Sequence, residues 1–147
     1  MTRWTIEQET AISESGQNII VSAGAGSGKT AVLTERVIRK LKSGVSIKNL
    51  LILTFTNNAA HEMKDRIRKS IKKEAENDIN LKKELDYIDN AYITTFDSFA
   101  LSIVKKYHYL IDIGNDISII DSGIIDLKKE EILEDIFEEN YKNNNTL

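Results

Sequence analysis

The sequence predicts an α/β domain organised around a mainly parallel β-sheet, and two features of its pattern indicate this class. Short apolar runs alternate with longer segments in which apolar residues repeat every three or four positions, as strands followed by helices do. A glycine-rich stretch, Ser-Ala-Gly-Ala-Gly-Ser-Gly-Lys-Thr at 22–30, separates the first apolar run from the first long helical pattern. This order of strand, loop and helix is typical of a phosphate-binding P-loop.

The first third of the chain is predicted to hold two strands and two helices. Thr5 and Gln8 have the spacing of a capping box, which predicts a short helix that ends near Ser13. Residues 18–23 are predicted as the first strand and residues 30–42 as an amphipathic helix. The apolar run at 50–55 is predicted to be a strand covered on both faces.

The remaining elements continue the alternation. A helix is predicted from about Asn58, with Met63, Ile67 and Ile71 on its buried stripe. The sequence leaves open whether this helix continues or breaks near 77–78 before a second helical piece that ends at Tyr87. A strand is then predicted at 92–95, followed by a helix that Asp97 or Ser98 caps and that runs through Leu110. A short strand is predicted at 116–120, and Asp121 or Ser122 opens a last amphipathic helix that carries apolar residues from Ile125 to Phe137. Residues 143–147 are predicted to be frayed.

Composition limits the classes of protein that remain. A chain of 147 residues with 41% hydrophobic residues is one domain or part of a larger one. It has no apolar stretch near the ~20 residues that cross a bilayer and no signal-peptide pattern. The absence of cysteine excludes disulfides and thiolate metal sites and fits a reducing cytosol, so we expect a cytoplasmic protein. The net charge of −3 argues against attraction of nucleic acid by the whole surface. The basic run at 64–73 and the acidic tail are interpreted as solvated helix faces.

The P-loop pattern predicts the binding of a nucleotide with Mg²⁺, and the family resemblance given below implies that this nucleotide is ATP. Gly24, Gly26 and Gly28 can take backbone angles that let successive N–H groups point at a phosphate. Lys29 would reach the β- and γ-phosphates, the Thr30 hydroxyl would ligate Mg²⁺, and both are the predicted catalytic residues of this chain. The predicted nucleotide-binding set adds Ala23, Gly24, Ala25, Gly26, Ser27 and Gly28; Ala23 stands where the pattern has glycine.

Three further motifs resemble one family, the UvrD/PcrA/RecB group of superfamily 1 helicases. The segment 4–8 resembles their Q motif, 53–60 with 62–66 closely resembles motif Ia, and 93–99 looks like the Thr-Phe-His-Ser-Phe segment that follows. Residues 104–141 look most like the A subunit of the bacterial AddAB helicase–nuclease. The resemblance implies a partial RecA-like ATP-binding domain of three layers (subdomain 1A) at 1–121 and the start of a helical 1B subdomain at 122–147.

The resemblance also assigns roles to particular residues. It implies that Gln8 reads adenine, although by its own pattern Gln8 is equally a capping residue. It implies that Phe55 stacks on a base, whereas the residues alone leave a core position equally open. The expected DNA contacts are Thr54, Phe55, Thr56, Asn57, Thr95, Phe96 and Ser98. Asp97, which stands where relatives usually carry histidine, suits a helix cap better than a phosphate contact.

By resemblance the parent protein is a 3′–5′ DNA helicase/nuclease subunit of double-strand break repair and recombination. It would bind single- and double-stranded DNA, pair with an AddB-type B subunit, need no membrane, and work at the nucleoid. Because no Asp-Glu pair follows an apolar run, we expect the chain to be an N-terminal fragment that neither hydrolyses ATP nor unwinds DNA appreciably. Two alternatives stay open: another P-loop enzyme such as a kinase or GTPase, and a non-catalytic module that binds single-stranded DNA.

Overall fold

The computed structural model describes residues 4–76 and 78–142, which form six α-helices and two strands. In chain order these elements are α1 (Ile6–Ser13), α2 (Lys29–Lys42), β1 (Leu51–Thr54), α3 (Asn57–Glu74), α4 (Ile79–Tyr87), β2 (Tyr92–Thr95), α5 (Phe96–Tyr107) and α6 (Ser122–Lys142). The chain divides into two compact units, one that ends at Phe99 and one that begins at Ala100. The boundary predicted at residue 121 concerns subdomains of a larger fold and stays a prediction.

The sheet of the first unit consists of β1 and β2, which pair in parallel. Their register runs from Leu51 opposite Tyr92 to Thr54 opposite Thr95, so both strands end at the same edge. Both strands were expected, and the structure confirms them. The prediction that both faces of β1 are covered is wrong, because Ile52 is buried while its neighbour Leu51 is exposed.

The core of this unit lies where α2, α3 and α4 pack beside the sheet. Ile67 and Ile71 of α3 have no exposed surface, as the predicted stripe requires. Removing one such side chain from water stabilises a fold by about 1.5–3 kcal/mol. The cluster consists of Val37, Ile38, Leu41, Ile47, Ile52, Met63, Ile67, Ile71, Leu81, Ile88, Ala91 and Ile93.

Two predicted strands do not form. Residues 18–23 and residues 116–120 are irregular rather than strands. Among the described residues neither segment has a ladder partner, and Ile20 is 97% exposed. An apolar run becomes a strand only when a neighbour takes up its backbone hydrogen bonds and side chains.

Helix starts were predicted within a few residues, but some caps differ. The capping box of Thr5 and Gln8 is present on α1, and α4 ends at Tyr87 as expected. Thr95 rather than Asp97 or Ser98 caps α5, since its Oγ1 accepts the Ser98 amide at 3.2 Å. The helix predicted through residue 110 ends at Tyr107, and a 3₁₀ turn over His108–Leu110 follows.

The second unit holds the predicted last helix. α6 begins at Ser122, and Asp121 Oδ1 accepts the Gly123 amide at 2.8 Å, so the predicted opening is confirmed. Its apolar side chains, among them Leu127 and Phe137, are exposed. Within the described parts of the chain, every helix is too short or too polar to cross a lipid bilayer. The fraying expected at 143–147 concerns residues outside the described ones.

Candidate functional site

The glycine-rich loop has the backbone that its sequence predicts at two of three glycines. Gly26 and Gly28 have φ of +75° and +85°, in the left-handed region that favours glycine, whereas Gly24 has no positive φ. Ser27 fastens the turn, because its Oγ donates to the Gly24 carbonyl at 2.8 Å. The loop is therefore a closed turn that leads into α2.

The start of α2 directs backbone donors at this loop. Gly28 is the residue before the helix, and no described side chain caps that end. The first N–H groups of a helix have no partner within it, and the helix dipole adds positive potential there. The N terminus of α2 thus offers amides to an anion beside Lys29 and Thr30.

Lys29 lies folded over the loop. Its Nζ donates to the carbonyls of Ala23 at 2.6 Å and Gly24 at 2.7 Å. A phosphate oxygen would replace these two carbonyls as a stronger, charged acceptor. Lys29 is therefore placed to bridge the loop and a bound phosphate.

Gln8 reaches the loop from α1. Its Nε2 donates to the Ser27 carbonyl at 3.1 Å, and its Oε1 accepts the Thr5 amide at 3.0 Å. Both ends of the side-chain amide thus have protein partners. The capping interpretation of Gln8 is confirmed, and the adenine-reading role stays a prediction.

A cavity of about 710 Å³ adjoins the loop. A volume of this size is in the range of pockets that hold small-molecule ligands. Its walls come from α1, from the irregular segment after it, and from the start of α2; they include Gln8, Gln17, Asn18, Ala23, Ser27, Lys29 and Arg36. The predicted nucleotide-binding residues at both ends of the loop therefore share one cavity with Gln8.

Two arginines of α2 fasten α1 beside the loop, and neither was predicted from the sequence. Arg36 Nη1 donates to the carbonyls of Ala11 at 2.9 Å and Ile12 at 3.2 Å. Carbonyls in the last turn of a helix have no acceptor role within the helix, so Arg36 satisfies them. Arg39 forms a forked ion pair with Glu9, one bond of which is 2.9 Å long. The hydrogen bonds from Arg39 hold the pKa of Glu9 below its usual value. In the sequence, Arg36 and Arg39 are three positions apart, so they are expected on one face of α2. This spacing could have indicated that the two arginines bind a common neighbour.

A second cluster of predicted residues lies at the carboxyl edge of the sheet. Phe55 directly follows β1 and is 93% exposed, and Phe96 directly follows β2 and is 57% exposed. Their ring centroids are 6.3 Å apart. Within the described residues Phe55 is therefore exposed, and two accessible aromatic faces lie side by side at the edge where parallel sheets present ligands.

Threonine hydroxyls fix the turns that carry these rings. Thr54 Oγ1 donates to the Thr56 carbonyl at 3.0 Å, and Thr56 Oγ1 accepts the Ala59 amide at 3.2 Å at the start of α3. Thr95 is buried and bonds to the Ser98 Oγ at 2.9 Å. Among the predicted DNA contacts, Asn57 is exposed, whereas the hydroxyls of Thr95 and Ser98 are bonded to each other.

Three of the six basic side chains in the run at 64–73 of α3 have a partner among the described residues. Arg66 pairs with Glu62 one turn earlier, and Arg68 pairs with Asp89. Lys64 donates to the Asp89 carbonyl at 3.2 Å. These contacts agree with a solvated helix face.

The fit of Mg²⁺ depends on the available oxygen donors. The described residues contain no group of three His, Cys, Asp or Glu side chains that could hold a metal. Thr30 is exposed at the first turn of α2, beside Lys29. Mg²⁺ is commonly bound by one or two protein oxygens together with substrate phosphates, so Thr30 fits a magnesium ion that arrives with a nucleotide.

Comparison with known proteins gives consistent matches. The family described as UvrD/REP helicase N-terminal domain matches residues 4–147. The chain is similar to the A subunits of the ATP-dependent helicase/nucleases of Geobacillus thermodenitrificans (44% identity), Bacillus licheniformis (45%) and Oceanobacillus iheyensis (46%). These alignments cover 95%, 97% and 99% of the chain but 12% of each relative. Both findings agree with the resemblance inferred from the motifs.

Proposed function

Because this chain belongs to the UvrD/REP helicase N-terminal domain family, we propose that it is the nucleotide-binding and strand-gripping part of an ATP-dependent DNA helicase/nuclease. The observation that carries the proposal is the N terminus of α2, which no described side chain caps and which directly follows the glycine-rich turn. Lys29, the first residue of this helix, donates hydrogen bonds to two carbonyls of the loop. Proteins bind phosphates where backbone amide donors, a lysine and the N-terminal end of a helix dipole lie close together.

In this proposal the triphosphate of ATP lies against the amides of residues 24–30. Lys29 leaves the carbonyls of Ala23 and Gly24 and donates to phosphate oxygens. Thr30 ligates Mg²⁺, which neutralises phosphate charge. The remainder of the cavity, between α1 and α2, accommodates the nucleoside. The proposal includes the fold: we propose that these elements form part of a RecA-like P-loop domain.

Single-stranded DNA binds, in this proposal, at the carboxyl edge of the sheet. Phe55 and Phe96 present exposed faces on which bases stack, and each such contact contributes about 1–3 kcal/mol. We propose that Thr54, Thr56 and Asn57, which lie beside these rings in sequence, contact the phosphates of the strand. Thr95 and Ser98 act there through the backbone that they hold in place.

The activity of the parent protein is proposed from the relatives. These are enzymes named for helicase and nuclease activity, and the chain spans 12% of their length. We propose a cytoplasmic protein that acts on DNA in double-strand break repair and recombination, together with an AddB-type partner. Because no Asp-Glu pair follows an apolar run in the sequence, we expect the 147-residue chain to bind ATP without appreciable hydrolysis.

Calorimetric titration of Mg-ATP into the chain tests the nucleotide proposal. Lys29→Ala removes a charged donor and is expected to weaken binding by roughly 10- to 100-fold. The matched control is Lys40→Ala, which removes a lysine from the last turn of the same helix and should leave affinity unchanged. Equal affinities of the wild-type chain and Lys29→Ala, or no binding by either, would contradict the proposal.

A further inference from the structure

Charged side chains are scarce at the carboxyl edge of the sheet. The segments 51–58 and 92–99, which hold both strands and the turns that follow them, contain one residue that is charged at neutral pH, Asp97, and they contain no lysine or arginine. Asp97 is exposed and directly follows Phe96, one of the two accessible rings of this edge. A DNA strand that stacks on these rings would therefore meet a single fixed charge in the two segments, and that charge is negative.

The capping of α5 leaves the Asp97 carboxylate without a structural partner. Thr95 Oγ1 accepts the Ser98 amide at 3.2 Å and so provides the cap that the sequence assigns to Asp97 or Ser98. The side chain of Asp97 forms no hydrogen bond or ion pair with any described residue. It does lie in the first turn of α5, where a negative charge interacts favourably with the helix dipole. A role in helix stability alone is therefore the alternative that an experiment has to exclude.

The two helices that begin at this edge differ in charge. α3 follows β1, α5 follows β2, and a threonine caps each of them. The first turn of α3 has no acidic residue, whereas the first turn of α5 holds Asp97. The amides and the dipole at a helix start attract anions, and a carboxylate in the first turn opposes that attraction. The start of α5 is thus less favourable to a phosphate than it would be without Asp97.

We infer that Asp97 lowers the affinity of the proposed DNA edge for the phosphates of a bound strand, so that the edge holds the strand mainly by stacking on its bases. This inference rests on the proposed function, since it concerns the same edge. A carboxylate a few ångströms from a phosphate in water changes affinity by several-fold. Because salt screens this repulsion, the effect of Asp97 is largest in dilute buffer.

Asp97→Asn tests the inference, because it removes the charge and keeps the size of the side chain. Asp97→Ala removes the charge without adding a hydrogen-bond donor, and Asp97→Glu retains the charge. The matched control is Asp86→Asn, the same exchange at an exposed residue of α4. Asp86 precedes the amino end of β2, whereas Asp97 follows its carboxyl end. Fluorescence anisotropy measures the dissociation constants of the 147-residue chain for labelled oligothymidine and oligodeoxycytidine, from about 50 mM to about 1 M salt.

We expect Asp97→Asn and Asp97→Ala to bind both oligonucleotides about 3- to 10-fold more tightly in dilute buffer, with the ratio between the two ligands unchanged. The slope of log affinity against log salt should become steeper by up to about 0.7, the value for one charge on a single strand. The difference from wild type should disappear at about 1 M salt. Asp97→Glu and Asp86→Asn should stay within about 2-fold of wild type.

The fold of each variant is checked by circular dichroism and by the thermal midpoint. If Asp97 serves only the helix dipole, Asp97→Asn lowers the thermal midpoint and leaves the affinity for DNA unchanged. If Asp97→Asn does not fold, Asp97→Ala provides the same comparison of affinity and salt slope.

Three outcomes would overturn the inference. Unchanged affinities in the folded variants without the charge would leave Asp97 with a role in helix stability alone. Weaker binding confined to oligodeoxycytidine would assign Asp97 to base recognition, since a carboxylate accepts a hydrogen bond from the cytosine amino group. Equal tightening in Asp86→Asn would assign the effect to the net charge of the chain. Failure of the wild-type chain and all variants to bind either oligonucleotide is distinct from these, because it contradicts the proposed DNA edge itself.

Discussion

Residues 18–23 and strand β1 have similar sequences, yet only β1 is a strand. Both contain a short apolar run, and both precede a turn and a helix. Ile52 of β1 is 7% exposed and lies opposite Ile93, whereas Ile20 is 97% exposed. This difference indicates that packing against the core stabilises the conformation of the sheet edge. The conformation of the P-loop is stabilised by a few polar contacts from α1 and α2.

The largest expected effect is on stability. Ile67→Ala removes a fully buried side chain of α3 and is expected to lower the free energy of unfolding by about 2–5 kcal/mol. Ile20→Ala, the matched change beside the P-loop, should alter it by less than about 0.5 kcal/mol. Urea denaturation measures both. A similar loss of unfolding free energy in the two variants would show that residues 18–23 are packed in solution. That result would contradict the proposed difference between this segment and β1.

A smaller effect is expected at the exposed edge of the sheet. Phe55→Ala removes one stacking face and should weaken the binding of single-stranded DNA by about 1–3 kcal/mol, with the stability of the fold unchanged. Fluorescence anisotropy with a labelled oligothymidine at fixed salt measures the affinity. Phe137→Ala, which removes an exposed phenylalanine of α6, is the control and should have no effect. Equal affinities of Phe55→Ala and wild type would remove Phe55 from the proposed interface.

The cap at the end of β2 makes a contribution of about 1 kcal/mol. Thr95→Ala deletes the hydroxyl that accepts the Ser98 amide, and it should lower the free energy of unfolding by that amount. Thr95→Ser retains the hydroxyl and should restore most of the loss, as urea denaturation of the two variants would measure. If Thr95→Ala is as stable as wild type, the turn that presents Phe96 is held by other contacts.

The smallest effect concerns pH and the attachment of α1. Arg39 lowers the pKa of Glu9 in the folded chain, so this pair stabilises the fold above the unfolded pKa of a glutamate and loses that contribution as the pH falls through the lower folded value. The thermal midpoint of Glu9→Gln should therefore be below that of wild type at pH 7 and approach it in acid, near the lowered pKa of Glu9. A difference that does not narrow in acid would assign the effect to packing rather than to the ion pair.

The sequence was informative where local chemistry decides the structure. The capping box of Thr5 and Gln8, the stripe of α3 and the two paired strands could all be predicted because spacing and apolarity determine them. The irregular path of 18–23 could not, because pairing depends on which strands are available as neighbours. The contact of Arg36 with the end of α1 could not be predicted either, because it joins residues that are 24 and 25 positions apart.

In the candidate site, too, features set by local sequence could be predicted, and features set by contacts between distant residues could not. Placement of Lys29 and Thr30 at the start of α2 followed from the glycine pattern. The 93% exposure of Phe55 in this chain could not be predicted from the residues alone. The partners of Gln8 depend on how α1 lies against the loop, which no local pattern contains.

The most direct test of phosphate binding by this loop is a titration of the ¹⁵N-labelled chain with Mg-ATP, followed by the backbone amide resonances. We predict saturable shifts that are largest at Gly26, Gly28, Lys29 and Thr30, and we expect Lys29→Ala to need roughly 10- to 100-fold more Mg-ATP for the same shifts. An unchanged titration midpoint in Lys29→Ala, or shifts that are largest at the sheet edge around Phe55, would contradict the proposed phosphate site.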